Sequence, residues 1–277
     1  MHEAAPILPT QQRWSMDSID WSAIRCGAVD GEDLLFYLVA AASFVEITTN
    51  LYTQNLVDRF SENAEIATWL ARHWLPEELQ HGQALRRYVE IAWPDFAWER
   101  VYRSFLEEFT AYCTVEGLEP TDSREMAARC VVEMGTAGYY TMLSRLSPEP
   151  VLATLARCIA EDEVRHYKHF YRYFRRFRAT EHIGRIAVSQ ALRSRLGKIG
   201  SEESRVAVKH LYLFQHPDKH FDNRVYRGLR RGSRDLIRPH FPYPMCVRML
   251  LKPLGLGPRA HHIVVPLVET LAKWIVP

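Results

Sequence analysis

The sequence predicts an all-α protein built on a bundle of four long helices, with one crossover helix between the two pairs and extra helices towards the C-terminus. Three observations carry that expectation. Apolar residues recur at helical period over residues 31–178, and no run of strict alternation asks for a strand. Proline and serine punctuate the pattern between periodic runs, at Pro94, at Ser147-Pro148 and at Pro239, Pro242 and Pro244. One motif is repeated: Glu78-Leu-Gln-His81 and Glu163-Val-Arg-His166 stand 85 residues apart, each preceded at helical distance by a lone glutamate, Glu46 and Glu133.

The first helix is expected from Asp30 or Gly31 to Phe60 and carries Glu46. Ser61 caps a second, to Ala92, with Glu78 and His81; Pro76 inside it predicts a kink or restart, because proline cannot donate to the preceding turn. Pro94-Asp95 ends that element and caps a third, Phe96 to Glu116, whose stripe of Val101, Phe105, Phe109 and Tyr112 reads as packing. It carries no ligand pattern and is expected to be the crossover that gives its neighbours their directions. Asp122 and Glu125 have capping-box spacing and open the helix bearing Glu133. The last bundle helix is expected from Pro150 to Arg178, with Glu163 and His166. Beyond it the pattern weakens into shorter segments, Ser201–Phe214 and Asp222–Ile237, before a final apolar helix. The expected division is an N-terminal arm (1–30), a bundle (31–178) and a basic helical extension packed on it (179–277).

Residues three apart on an α-helix share a face, so each Glu-x-x-His aims a carboxylate and an imidazole at one point. A glutamate from each of two helices and Glu-x-x-His from each of two others is the donor order of carboxylate-bridged di-iron bundles. The predicted ligands are therefore Glu46, Glu78, His81, Glu133, Glu163 and His166. Two iron ions are the expected occupants, with manganese as the alternative, because these donors suit both and four carboxylates offset most of the charge of two divalent ions. The intervals, 32 residues from Glu46 to Glu78 and 30 from Glu133 to Glu163, fit one helix, a turn and part of the next. Glu46 also lies in an apolar stretch, Leu34 to Leu51, where an unpaired carboxylate is costly.

Composition excludes several classes. The five cysteines are scattered without C-x-x-C spacing, which argues against thiolate metal sites and for reduced thiols in a cytoplasmic setting. Met1 to Trp14 has no basic region followed by an apolar run, so no secretory signal is expected, and no uninterrupted apolar stretch is long enough for a transmembrane segment. The near-zero net charge hides an asymmetry. Residues 1–163 hold 12 Lys and Arg against 26 Asp and Glu (−14), and residues 164–260 hold 22 against 6 (+16). A basic half of this kind is either a solvated helical surface or a docking face for an acidic partner. His210, His216, His220 and the His261-His262 pair lack a partnered carboxylate spacing and read as surface or structural residues.

At the ligand residues the chain resembles the soluble acyl-carrier-protein desaturases, which are ferritin-like di-iron carboxylate proteins. Trp74-Leu-Pro-Glu77-Glu78-Leu-Gln-His81-Gly82 is similar to that family's W-x-x-E-E-x-x-H-G, Ile159-Ala-Glu-Asp162-Glu163-Val-Arg165-His166 to its I-A-x-D-E-x-R-H, and Glu133-Met-Gly-Thr136 to its E-x-x-T; Tyr52 follows Glu46 by six residues, again as in the family. The resemblance covers residues 34–178 and implies a ferritin-like four-helix bundle and a homodimer. It further implies an enzyme that binds dioxygen, takes electrons from a ferredoxin-type donor and removes two hydrogens from a fatty acyl chain tethered to acyl carrier protein. It implies that Glu78, Glu133 and Glu163 bridge or shift between irons, that His81 and His166 are terminal ligands, that Thr136 places a hydroxyl beside bound oxygen, and that Asp162 orients a histidine, here His81. Arg165 reads as a charge partner within the bundle, and most aromatics near the motifs as packing.

Two other classes compete. A di-iron hydroxylase of another substrate, such as a modified tRNA base, a quinone or an amine, would use the basic third as a nucleic-acid footprint in the first case. A ferritin- or rubrerythrin-like protein would handle iron or peroxide, but the chain is long and basic for the first and lacks a C-x-x-C pair for the second.

Overall fold

The computed structural model describes residues 13–112, 118–198 and 203–275, and among them every regular element is helical. The arm enters as 3-10 turns, Met16–Ser18, Trp21–Ala23 and Cys26–Ala28, with Trp14 and Ile19 buried in the main core.

The first expected helix is two, α1 (Asp33–Ile47) and α2 (Asn50–Arg59), bent by 42°. The break falls on Thr48 and Thr49 beside Ile47. Thr48 Oγ1 donates to Val45 O and Thr53 Oγ1 to Thr49 O, both at 2.7 Å. Three consecutive β-branched residues and hydroxyls bonded back to the helix loosen the ladder there. The second helix is also divided. Asn63, not Ser61, caps it by accepting from Ile66 N at 3.2 Å, and α3 (Ala64–Trp69) passes through a π turn, Leu70–Trp74, into α4 (Leu75–Ala92). Pro76 has no N–H for Arg72 O, four residues back, and the wide turn sits there; this is the restart expected at that proline.

The crossover is α5 (Trp98–Phe109), continued by a 3-10 turn, Thr110–Tyr112. Ala97 rather than Asp95 occupies its N-cap; the expected end at Glu116 and the Tyr112 side chain lie outside the described residues. Val101, Phe105 and Phe109 are buried, with Phe105 stacked on Phe44 of α1 at 5.3 Å. The second pair is α6 (Asp122–Leu146) and α7 (Pro150–Glu181). Thr121 caps α6, and no capping box forms because Glu125 turns inward, accepting from Glu119 N (2.7 Å) and pairing with Arg129 (2.8 Å). Glu149 caps α7 through Leu152 N, with Pro150 at the first helical position, where no N–H is needed. α1 packs along α4 and α6 along α7.

The remaining helices cover these pairs. α8 (Arg185–Lys198), whose weak periodicity hides it in the sequence, sets Val188, Ala191 and Leu192 into the cluster of α6 and α7. α9 (Glu203–Gln215) lays Val206, Ala207 and Leu211 on α1; its expected start at Ser201 lies outside the described residues. α10 (Asn223–Ile237) is capped by Asp222, and α11 (Tyr243–Leu251) and α12 (Pro258–Ile275) complete the chain. Among the described residues no single helix is long and apolar enough to cross a membrane.

Candidate metal centre

The six expected ligands converge. Glu46 comes from the last turn of α1, Glu78 and His81 from α4, Glu133 from the middle of α6, and Glu163 and His166 from α7; all six are buried. Their ligand atoms fall into two overlapping sets, each within 4.8 Å: Glu46, Glu78, His81 and Glu163, and Glu78, Glu133, Glu163 and His166. Glu78 and Glu163 belong to both. Glu133, the third carboxylate expected to bridge, belongs to one of them.

The imidazoles have defined orientations. His81 Nε2 lies 3.0 Å from Asp162 Oδ2 and His166 Nε2 lies 2.7 Å from Glu77 Oε2, so both rings turn Nδ1 inward. His81 Nδ1 is 3.2 Å from Glu163 Oε1, and His166 Nδ1 is 3.0 Å from Glu78 Oε1 and 3.5 Å from Glu133 Oε2. An outer carboxylate that accepts from Nε2–H fixes the tautomer with the Nδ1 lone pair free for a cation. Asp162 thus stands against His81, the histidine its motif position pointed to. Glu77 is its counterpart on the other half, and Arg165 joins the two, 3.2 Å from Glu77 and paired with Asp162. Asp162 also accepts from Trp14 Nε1 at 2.8 Å, which ties the N-terminal arm to the centre.

A test of fit comes from unsatisfied atoms. His81 Nδ1, His166 Nδ1, Glu133 Oε1 and Glu163 Oε1 are buried and make no well-aligned hydrogen bond, although the two ring nitrogens face carboxylate oxygens at 3.0–3.2 Å. Each such atom costs about 1–3 kcal/mol unless something binds it. All four belong to the two ligand sets, and all are donors suited to a divalent cation. Without a cation the cluster neutralises itself with protons. Burial, then repulsion from Glu163, pushes Glu46 and Glu78 above the carboxylate range; burial carries Glu133 to about 8 against the pull of His166. Burial opposes charge on His81, yet Asp162 and Glu163 take it up to about 10, and His166 rises through Glu133, Glu77 and Glu78. Glu163 moves the other way, because His81 and His166 flank it and outweigh its burial. Residues so arranged could hold divalent metal.

Thr136 Oγ1 lies 2.5 Å from Glu163 Oε2 and 3.2 Å from Glu133 O, two acceptors for its single proton, and the shorter contact gives that proton to the Glu163 carboxylate rather than to its own helix. One turn on, Tyr140 donates to Glu46 Oε1. Among the aromatics read as packing, Tyr140 therefore hydrogen-bonds an expected ligand, whereas Trp69 only packs edge-on against one, His166, with ring centroids 6.4 Å apart. Gly82 has a steric role. A Cβ there would stand 2.5 Å from Ile47 Cγ1 and 2.7 Å from Ile47 N, so its absence lets α4 approach α1 beside Glu46. Sequence reasoning gave no role to Glu77, Trp14 or Gly82 and read Tyr140 as packing. One signal was available: an acid precedes the ligand glutamate in both copies, Glu77-Glu78 and Asp162-Glu163. His210 pairs with Glu108 at 2.8 Å, and the described cysteines, Cys26, Cys130, Cys158 and Cys246, are free thiols; Cys113 lies outside the described residues.

A model of the fatty acid desaturase family matches residues 46–197, more than half of the 277, and the match takes in every ligand from Glu46 to His166. No curated protein and no solved structure gives a match.

Proposed function

The chain belongs to the fatty acid desaturase family, and from that premise we propose that it is a di-iron, dioxygen-dependent oxidase of a fatty acyl chain carried on acyl carrier protein, with electrons from a ferredoxin-type donor. The observation that carries this reading is the pair of four-ligand sets sharing Glu78 and Glu163, with four unsatisfied donor atoms turned into them. Two irons held there would supply the reduction of dioxygen to two waters, with two hydrogens from the acyl chain and two electrons and two protons from outside.

The protein's part is positioning. Glu78 and Glu163 would be common to both ions, and His81 and His166 would each bind one through Nδ1. Asp162 and Glu77 keep each Nε2 protonated. Thr136 holds a proton on Oγ1 against Glu163 Oε2, and Tyr140 does the same at Glu46. The carrier protein, which is acidic, would dock on the last turns of α7, where exposed Arg172 and Arg175 follow His166 on the same helix. A homodimer would use the flank of α1 on which Leu34, Leu38, Ala41 and Val45 stay half-buried.

The test is to incubate the reduced protein with a panel of acyl carrier proteins and a ferredoxin and to read the acyl mass. A loss of two mass units supports desaturation and a gain of sixteen supports hydroxylation on the same carrier. No change on any acyl carrier substrate by a fully metal-loaded protein overturns the reading. Reversing Arg172 and Arg175 to Glu should raise the Michaelis constant for the carrier substrate and leave metal content unchanged.

A further inference from the structure

We infer that α12 and α10 together form a docking face for an anionic lipid bilayer. Ile263, Leu267, Leu271 and Trp274 are 63, 60, 57 and 72% exposed. Their spacing of four, four and three residues sets them on one stripe of α12, about 16 Å long at 1.5 Å per residue. The opposite face is already used: Val264, Val265, Val268 and Ala272 pack with Val247 and Leu251 of α11. Both sides of α12 are therefore apolar, and its outer stripe meets solvent.

The basic helix α10 lies against the end of that stripe, where Arg234 Nη2 donates to Trp274 O at 2.8 Å. Its inner side faces the bundle, with Gly232 next to Leu34 of α1, and Arg224, Arg227, Arg230 and Arg231 are exposed. Residues 223–275 hold ten Lys and Arg against Asp235 and Glu269, a net charge of +8.

Charge selects the occupant. A second copy docking through the same patch would set +8 against +8, as an isologous contact requires. An apolar stripe ending in a tryptophan and flanked by arginines instead has the make-up of a helix that lies in a bilayer interface, its apolar side in the acyl boundary and its cations at anionic headgroups. Pro266, Glu269 and Lys273 keep α12 from spanning. The attachment does not depend on the metal centre.

The experiment is flotation of the full chain with phosphatidylcholine vesicles, with and without phosphatidylglycerol. The wild type should float with the anionic vesicles, and added salt should release it. Leu267→Glu with Leu271→Glu should weaken binding on the order of tenfold or more, since two side chains can no longer enter the acyl boundary. Arg227→Glu with Arg230→Glu should erase the preference for anionic lipid. Trp274→Phe, which changes neither charge nor helix, should remove the blue shift in tryptophan emission seen on adding vesicles. Three results overturn the proposal: wild type that stays with the bulk in phosphatidylglycerol vesicles, a Leu267/Leu271 variant that floats like wild type, or an emission shift that survives Trp274→Phe. A Leu267/Leu271 variant whose only change is a halved solution mass also overturns it and assigns the stripe to a second copy.

Discussion

Replacing Gly82 by alanine separates the packing of the bundle from its capacity for metal. The new Cβ would stand 2.7 Å from Ile47 N, where ordinary contact begins at 3.4 Å, so the α1 backbone must retreat by about 0.7 Å. Glu46 precedes Ile47 and moves with it. Ligand distances in a metal site tolerate about 0.2 Å, so the set formed by Glu46, Glu78, His81 and Glu163 loses its fit while the set at His166 keeps its geometry. Stability changes less. Overpacking destabilises by about 1–3 kcal/mol, and alanine for glycine inside a helix returns about 1, leaving a net loss of about 0–2 kcal/mol. The assay is metal per chain after loading and dialysis, read beside the melting temperature. The expected result is a folded variant that drops from two ions to about one, with the loss at the Glu46 end. A Gly82→Ala protein that holds two ions with wild-type affinity would refute the claim that this close approach sets the site.

Other perturbations test the remaining parts. Glu78→Ala or Glu163→Ala should abolish dinuclear loading, because either change removes a carboxylate common to both sets; full metal content in both variants would sink the assignment. Glu77→Leu should weaken metal binding by about 10–100-fold through the loss of the acceptor on His166 Nε2, with Glu77→Gln intermediate, and unaltered titrations of both would show that the outer carboxylate does not orient the ring. The metal-free and loaded proteins should respond oppositely to pH. His81, raised to about 10 from 6.5, and Glu133, raised to about 8 from 4.5, stabilise the metal-free fold below those ordinary values, and the contribution is lost as pH rises through the raised ones. Divalent ions displace the same protons, so affinity rises with pH, and the melting-temperature gap between the two forms should widen from pH 6 to 9. A constant gap over that range would contradict the proton inventory.

The candidate ligand set was legible because helix geometry is local. Glu-x-x-His places two donors on one face whatever surrounds it, so Glu78 with His81 and Glu163 with His166 needed only their spacing. The helix ends were less legible, because capping depends on which of several nearby polar side chains turns towards the backbone. Asn63 took the place expected of Ser61, Thr121 that of Asp122, and Glu125 went inward to Arg129. The bend at Thr48 was hidden by the continuous apolar pattern of Leu34 to Leu51, which reads the same for one helix as for two.

The sequence by itself determined the helical class, the order of the helices that carry the candidate ligands and the choice of those six residues, since these follow from periodicity and spacing along one chain. Tertiary structure alone decided that Glu78 and Glu163 lie in both clusters, that Glu77 and Asp162 each face the imidazole of the opposite motif, and that Arg165 joins them. It also decided that Trp14 reaches Asp162 across 148 residues, that Tyr140 holds Glu46, and that Gly82 is the point where two helices touch. These are relations between surfaces brought together by burial of a common core, and no local pattern encodes the distance between them.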